Sequence, residues 1–225
     1  MASIRERRVL AAGFAASALA LAFFCRLASA VARGVTAGFD LRTRALVHSW
    51  ATPPLTYAMR AITDLGSPAF LIVLGAILCW RLAAEGRRRA AVILVVAALG
   101  AEAFDGLLKL FFKRPRPEAF FGLAEPASYS FPSGHSVASC CFYGVVAAIF
   151  AANVRSRLRK AAIWVTAAGA VAAIGLSRVY LGVHYPTDVL GGYAAGIVWA
   201  GIVRAGYELW LRRNRPAVTM DSQNG

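Results

Sequence analysis

Charge is scarce in this chain, and negative charge scarcer still: charged residues make up 16% of 225 residues, with 11 Asp and Glu against 25 Lys and Arg. A soluble domain carries roughly 25% charged residues, so an ordinary water-facing surface is excluded. The hydrophobic share of 59% and mean hydropathy of +0.58 must instead be taken up by long apolar stretches. Nor does the net charge of +14 point to nucleic acid. The basic residues fall in short clusters between apolar runs, as in membrane loops, rather than in one patch or stripe. Cysteine is limited to Cys25, Cys79, Cys140 and Cys141, all in apolar stretches, with no CxxC pair and no metal-ligand spacing. They read as small buried hydrophobes, which removes the usual cysteine-based metal sites. No low-complexity tract, internal repeat or soluble domain is visible.

What is present is a series of six apolar runs, each near the roughly 20 residues that cross a bilayer as a helix. They cover approximately residues 9–31, 68–84, 90–112, 135–152, 161–179 and 186–210, and their Ala and Gly content suits close helix packing. The expected fold is all-α, a polytopic membrane protein with six transmembrane helices over residues 1–213 and a disordered polar tail at 214–225. The first run follows Arg5, Arg7 and Arg8, and its Ala28-Ser29-Ala30 resembles a signal-peptidase site. Its length and Arg26 favour a retained helix. Trp50, Trp80 and Trp210 fall near span ends and read as interface anchors. Between the first two spans, the Thr52-Pro53-Pro54 and Gly66-Ser67-Pro68 turns bound a stretch that could hold an amphipathic helix over the site.

The basic residues orient the chain. The side holding the N-terminus receives Arg5, Arg7 and Arg8, then Arg81 with Arg87 to Arg89, then Arg155, Arg157, Arg159 and Lys160, then Arg212, Arg213 and Arg215. That makes fourteen, against nine on the other side: Arg33, Arg42, Arg44, Arg60, Lys109, Lys113, Arg114, Arg116 and Arg178. The first side is therefore cytoplasmic. Arg26 and Arg204 sit inside spans.

Three segments of the opposite side hold the chemically capable residues. Lys109 to Arg116-Pro117 leaves the third span, Pro132-Ser133-Gly134-His135 enters the fourth, and Ser177-Arg178 through His184 to Asp188 joins the fifth and sixth. An even number of spans separates them, so all three meet one membrane face. Lys109, Arg116 and Arg178 offer positive charge to an anion, arginine as a planar fork and lysine as a point charge. Ser133 and Gly134 open a helix whose free N–H groups and dipole favour phosphate. A neutral His184 imidazole can attack phosphorus, with Asp188 fixing its tautomer. His135 can protonate the departing oxygen and then activate water. Glu102, Asp105 and Lys109 share one helical face. There Asp105 reads as a structural partner aiming Lys109, with a proton relay as the lesser reading. Lys113 and Arg114 read equally as interface residues or as contacts to lipid headgroups, and the third histidine, His48, as an ordinary polar residue.

These residues resemble the type 2 phosphatidic acid phosphatase superfamily, whose pattern is Lys-x6-Arg-Pro, then Pro-Ser-Gly-His, then Ser-Arg-x5-His-x3-Asp. All three parts match without substitution, in order, between Lys109 and Asp188. The resemblance implies His184 as nucleophile, Asp188 as its orienting partner and His135 as acid and base. It implies phosphate binding by Lys109, Arg116, Ser133, Gly134 and Arg178, with no metal and no cofactor. It also implies a lipid phosphate substrate: undecaprenyl diphosphate first, then phosphatidylglycerol phosphate, phosphatidic acid or a lipid A phosphate. The first choice follows from an outward-facing site in a bacterial-looking chain, which places the protein in the cytoplasmic (inner) membrane with its active site facing the periplasm. A phosphotransferase would use the same histidine and pass the phosphoryl group to another lipid. An anion or lipid transporter is disfavoured, because its site belongs near the bilayer midplane and these residues sit at helix ends.

Overall fold

The computed structural model describes residues 4–123 and 127–213. The tail at 214–225, Arg215, and the side chains of Arg5, Arg7, Arg8 and Arg212 lie outside the described residues. The chain forms α1 (Ile4–Ala32), α2 (Ala37–His48), α3 (Pro53–Asp64), α4 (Pro68–Ala84), α5 (Arg88–Phe112), α6 (Gly134–Ala152), α7 (Arg157–Tyr180) and α8 (Pro186–Arg213). The six expected runs are α1 and α4 to α8, with ends extended by a few residues. Five of these are long and apolar enough to cross a membrane alone, and the 17-residue α4 joins α3 in a pair bent by 51°. Leu19, Ile72, Val73, Leu99, Leu107 and Val165 are each at least 60% exposed on the outer faces. So broad an apolar surface belongs in lipid, and the protein is an integral membrane protein.

Two helices, α2 and α3, rather than one, lie between α1 and α4. Thr52 and Ser67 each accept a hydrogen bond from a backbone N–H three residues on, and each precedes a proline at the first helical position. Ser/Thr followed by Pro starts a helix because the cap satisfies a free N–H and proline needs none. The chain therefore restarts at Pro53 and again at Pro68, and the second restart makes the bend between α3 and α4.

The core centres on α6, which packs against α5, α7 and α8 and buries Val137, Ala138, Cys141 and Phe142. Glycines let α8 come close: a Cβ at Gly192 would lie 2.8 Å from the Ser133 carbonyl oxygen, and one at Gly196 2.9 Å from that of Val137. Small residues four apart form one such contact stripe. Gly192→Ala is therefore expected to lower stability by roughly 1–3 kcal/mol through overpacking, read as a lower thermal midpoint in detergent. An unchanged midpoint would mean the two helices are not held at this distance. α1 belongs to the same core, since Phe24 stacks on Phe131 with centroids 5.7 Å apart and meets the edge of Phe112. Phe131 in turn leads directly into the start of α6. Deeper in the bundle, Trp199 donates to the Ala97 carbonyl at 3.0 Å, its ring lying over Gly100.

Candidate active site

The end of α5, the start of α6, the end of α7 and the start of α8 meet at one face of the bundle, and α2 and α3 close over them. His184 lies in the short turn between α7 and α8, 2% exposed, and Asp188 follows one turn later in α8, fully buried. The His184 Nδ1 lies 3.4 Å from the Asp188 Oδ2. That same oxygen accepts from the Tyr185 N–H at 2.9 Å and from the Ser130 hydroxyl. On the opposite edge of the ring, Arg116 Nη1 lies 3.1 Å from His184 Nε2. A guanidinium can only donate, so Nε2 presents its lone pair and the ring proton sits on Nδ1, towards Asp188. Arg116 is held in place by the carbonyls of Val183, at 3.0 Å, and Ser128, at 2.6 Å, and by the Ser128 hydroxyl.

Around this ring the other sequence-designated residues come together. Lys109 is paired with Asp105 one turn back on α5. A Cβ at Gly134 would come within 2.8 Å of the Lys109 Nζ, so glycine admits the lysine beside the start of α6. Ser133 precedes that helix and donates its N–H to the Asp188 carbonyl at 2.9 Å, while its hydroxyl has no partner among the described residues. Gly134 and His135 occupy the first turn, where N–H groups have no acceptor within the helix. Arg178 is buried and donates to the Thr63 hydroxyl of α3 at 2.8 Å. A cavity of about 170 Å³ joins them, lined by Lys109, Arg116, Gly134, His135, Arg178 and His184, with Glu102 and Asp105 as its acidic part. Ser133 and Asp188 stand behind that lining. Among the described residues, no cluster of three or more His, Cys, Asp or Glu side chains is placed to hold a metal ion.

Several site residues escaped the sequence reading. Arg114 is neither an interface residue nor a headgroup contact: it donates to Asp188 Oδ1 at 2.6 Å, Asp40 Oδ2 at 2.8 Å and the Thr187 hydroxyl at 2.8 Å, under the Tyr185 ring. Arg44, one turn after Asp40, donates to the carbonyls of Glu118 and Gly182. Thr63 and Ser130 are further cases. Only the rarity of acidic residues could have drawn notice to Asp40. Lys113, by contrast, is exposed and simply ends α5 in a left-handed conformation. His48 stacks on Phe120, with centroids 3.9 Å apart, and does not line the cavity.

Burial pushes the His184 imidazole down to about 4, with Arg116 and Arg178 adding to the effect and the hydrogen bond to Asp188 opposing it. The ring is thus neutral at neutral pH. Its pKa in the unfolded chain is near 6.5, so between pH 6.5 and 4 the unfolded state binds more protons. Stability is full above pH 6.5 and falls as the pH drops towards 4, by on the order of 3 kcal/mol from this group. The thermal midpoint of the wild type should therefore fall across this window, and that of His184→Gln should fall less. Parallel curves for the two proteins would show that His184 is not held neutral by the fold.

Fold and site together define an integral membrane protein that gathers three cations, two imidazoles and a helix N-terminus at one bilayer face. The chain belongs to the PAP2 superfamily, whose sequence profile matches residues 90–212. It is 32% identical over 200 residues to the phosphatidylglycerophosphatase B of Bacillus subtilis (strain 168), covering 86% of this chain and 95% of that protein. To the lipid A 1-phosphatase of Rhizobium johnstonii it is 31% identical over 180 residues, covering 70% of this chain and 69% of that one. Its structure is similar to the crystal structure of a transmembrane PAP2 type phosphatidylglycerolphosphate phosphatase from Bacillus subtilis. That similarity has a TM-score of 0.79 and 29% identity, over 88% of this chain and 98% of that one. The protein is a membrane phosphatase of this superfamily.

Proposed function

We propose that residues 1–213 form one phosphatase domain that hydrolyses the terminal phosphate of a membrane lipid through a phosphohistidine on His184, without a metal. The observation that carries this reading is the His184 ring itself: buried, backed by Asp188 at Nδ1, with the Nε2 lone pair turned to Arg116 and the cationic cavity. In the first step the Nε2 lone pair forms the N–P bond as the P–O bond to the lipid breaks. The departing oxygen keeps that electron pair and takes a proton from His135. In the second, water gives a proton to His135 and its oxygen bonds to phosphorus, while the N–P electrons return to Nε2 and phosphate leaves. Lys109, Arg116, Arg178, Ser133 and Gly134 bind the phosphoryl oxygens, and such preorganised donors act on charge as it develops.

Phosphatidylglycerol phosphate is the preferred substrate, because the relative matched along 95% of its own length is a phosphatidylglycerophosphatase. Undecaprenyl diphosphate rests on the outward orientation alone. That orientation, an active site at the periplasmic face of the bacterial cytoplasmic membrane, follows from the basic-residue count: setting aside Lys109, Arg116 and Arg178, fourteen face six. The test is phosphate release by purified protein in detergent with EDTA, on phosphatidylglycerol phosphate, undecaprenyl diphosphate, phosphatidic acid and a lipid A 1-phosphate. Release that is insensitive to EDTA and fastest on the first lipid is expected. Loss of turnover in EDTA would overturn the metal-free mechanism, and faster release from another lipid would reassign the substrate. Turnover only with an acceptor lipid, the phosphoryl group appearing on that lipid instead of as free phosphate, would make the protein a phosphotransferase.

A further inference from the structure

Helix α2, which is not among the candidate membrane spans, packs onto α7 and α8, and its buried face carries Asp40, Arg44 and Val47. Asp40 is fully buried, and donors from two other segments converge on it. Its Oδ1 accepts from the Thr187 N–H at 3.0 Å, and its Oδ2 from the Thr187 hydroxyl and from Arg114 Nη2, each at 2.8 Å. The other arm of Arg114 holds Asp188 Oδ1 at 2.6 Å, and Asp188 Oδ2 faces His184 Nδ1. An unbroken chain therefore runs from Asp40 through Arg114 and Asp188 to His184. One cation, its side chain 14% exposed, is shared between two buried carboxylates, and a guanidinium fork suits that bridging where an ammonium would not.

Sharing sets how much of its charge Asp188 can direct at the imidazole. The more of Arg114 that Asp40 holds, the less Asp188 is neutralised, and the more basic His184 becomes. We propose that Asp40 is a positioning residue for the hydrolysis, restraining Arg114 so that Asp188 keeps the aim and charge that make His184 nucleophilic. Asp40 acts only through Arg114 and Thr187 and touches neither lipid nor phosphorus. The proposal rests on His184 as the nucleophile.

Its two chemical steps respond oppositely to imidazole basicity. Forming the N–P bond uses the Nε2 electron pair, and breaking it returns that pair, so a less basic ring attacks more slowly and leaves no more slowly. In Asp40→Asn, Arg114 moves wholly onto Asp188. Single-turnover experiments with a short-chain lipid phosphate, quenched in alkali to preserve phosphohistidine, should show phosphoenzyme formation slowed roughly three- to tenfold and breakdown unchanged or faster. Thr187→Val keeps every charge; it removes one donor from Asp40 and one acceptor from Arg114 Nη1, so both carboxylates draw harder on the guanidinium. This variant should leave the sharing, and with it the rates of formation and breakdown, within about twofold of wild type. Equal slowing of both steps in Asp40→Asn would show a merely structural role, and rates matching wild type would show no role. Both overturn the proposal. Should Asp40→Asn fail to fold, a slowed formation step in Thr187→Val does so equally. Absence of phosphohistidine in the wild type itself would instead overturn the nucleophile assignment, and this proposal with it.

Discussion

His184→Ala is expected to release phosphate from its best lipid at least roughly 10⁴-fold more slowly than the wild type, the scale on which losing a covalent nucleophile acts. The structure indicates why this loss should be chemical rather than conformational. Without the ring, Asp188 keeps Arg114, the Ser130 hydroxyl and the Tyr185 N–H. Arg116 keeps Ser128 and the Val183 carbonyl. No buried charge is left without a partner, so neither a stability loss of the size seen for broken buried pairs nor a collapsed cavity is expected. Inorganic phosphate should inhibit residual turnover at much the same concentration as in wild type. Turnover above a hundredth of wild type would place the nucleophile elsewhere, and a large drop in thermal midpoint would remove the distinction between chemistry and folding.

The second large effect belongs to His135. Its ring lines the cavity together with His184, one side chain at the start of α6 and the other before α8. Removing a general acid and base slows turnover by roughly 10²- to 10⁴-fold, and here the loss should divide unevenly between substrates. An aryl phosphate has a leaving group that departs without protonation, whereas a lipid alkoxide does not. His135→Ala should therefore still form phosphoenzyme from an aryl phosphate, then accumulate it, because water is no longer activated for the second step. With a lipid phosphate both steps slow and little phosphoenzyme builds up. If the variant loses both substrates equally and traps nothing, His135 has no part in proton transfer.

How much of this was legible beforehand follows from the range over which each signal acts. The six membrane helices were readable because apolar length is a local property, and the bilayer demands a minimum of it. The structure moves their ends by a few residues only. Short-range sequence also places Lys109, Arg116, Ser133, Gly134, His135, Arg178, His184 and Asp188 at one end of the bundle. Each sits at the end of a span, and an even number of spans returns the chain to the same face. The Asp105–Lys109 pair was equally legible, since four residues make one helical turn.

Tertiary structure alone decided the surroundings of those residues. Arg114 finds Asp40 and Asp188 each 74 positions away in the chain, Arg178 finds Thr63 at 115, and Thr187 finds Asp40 at 147. Neither Asp40 nor Thr63 recurs with a helical period or stands at an end of the six apolar runs, so nothing local marks them as partners. The closeness of α6 to α8 was likewise hidden, because Gly192 and Gly196 read as ordinary small residues until backbone oxygens from another helix lie against them. Local sequence determined which residues reach the membrane face, through hydrophobic length and the parity of crossings. Beyond the Asp105–Lys109 and His184–Asp188 pairs, each four residues apart, which of them share a charge was settled only by tertiary packing, that of α2 and α3 onto the face included, because such sharing acts over a few ångströms between segments distant in the chain.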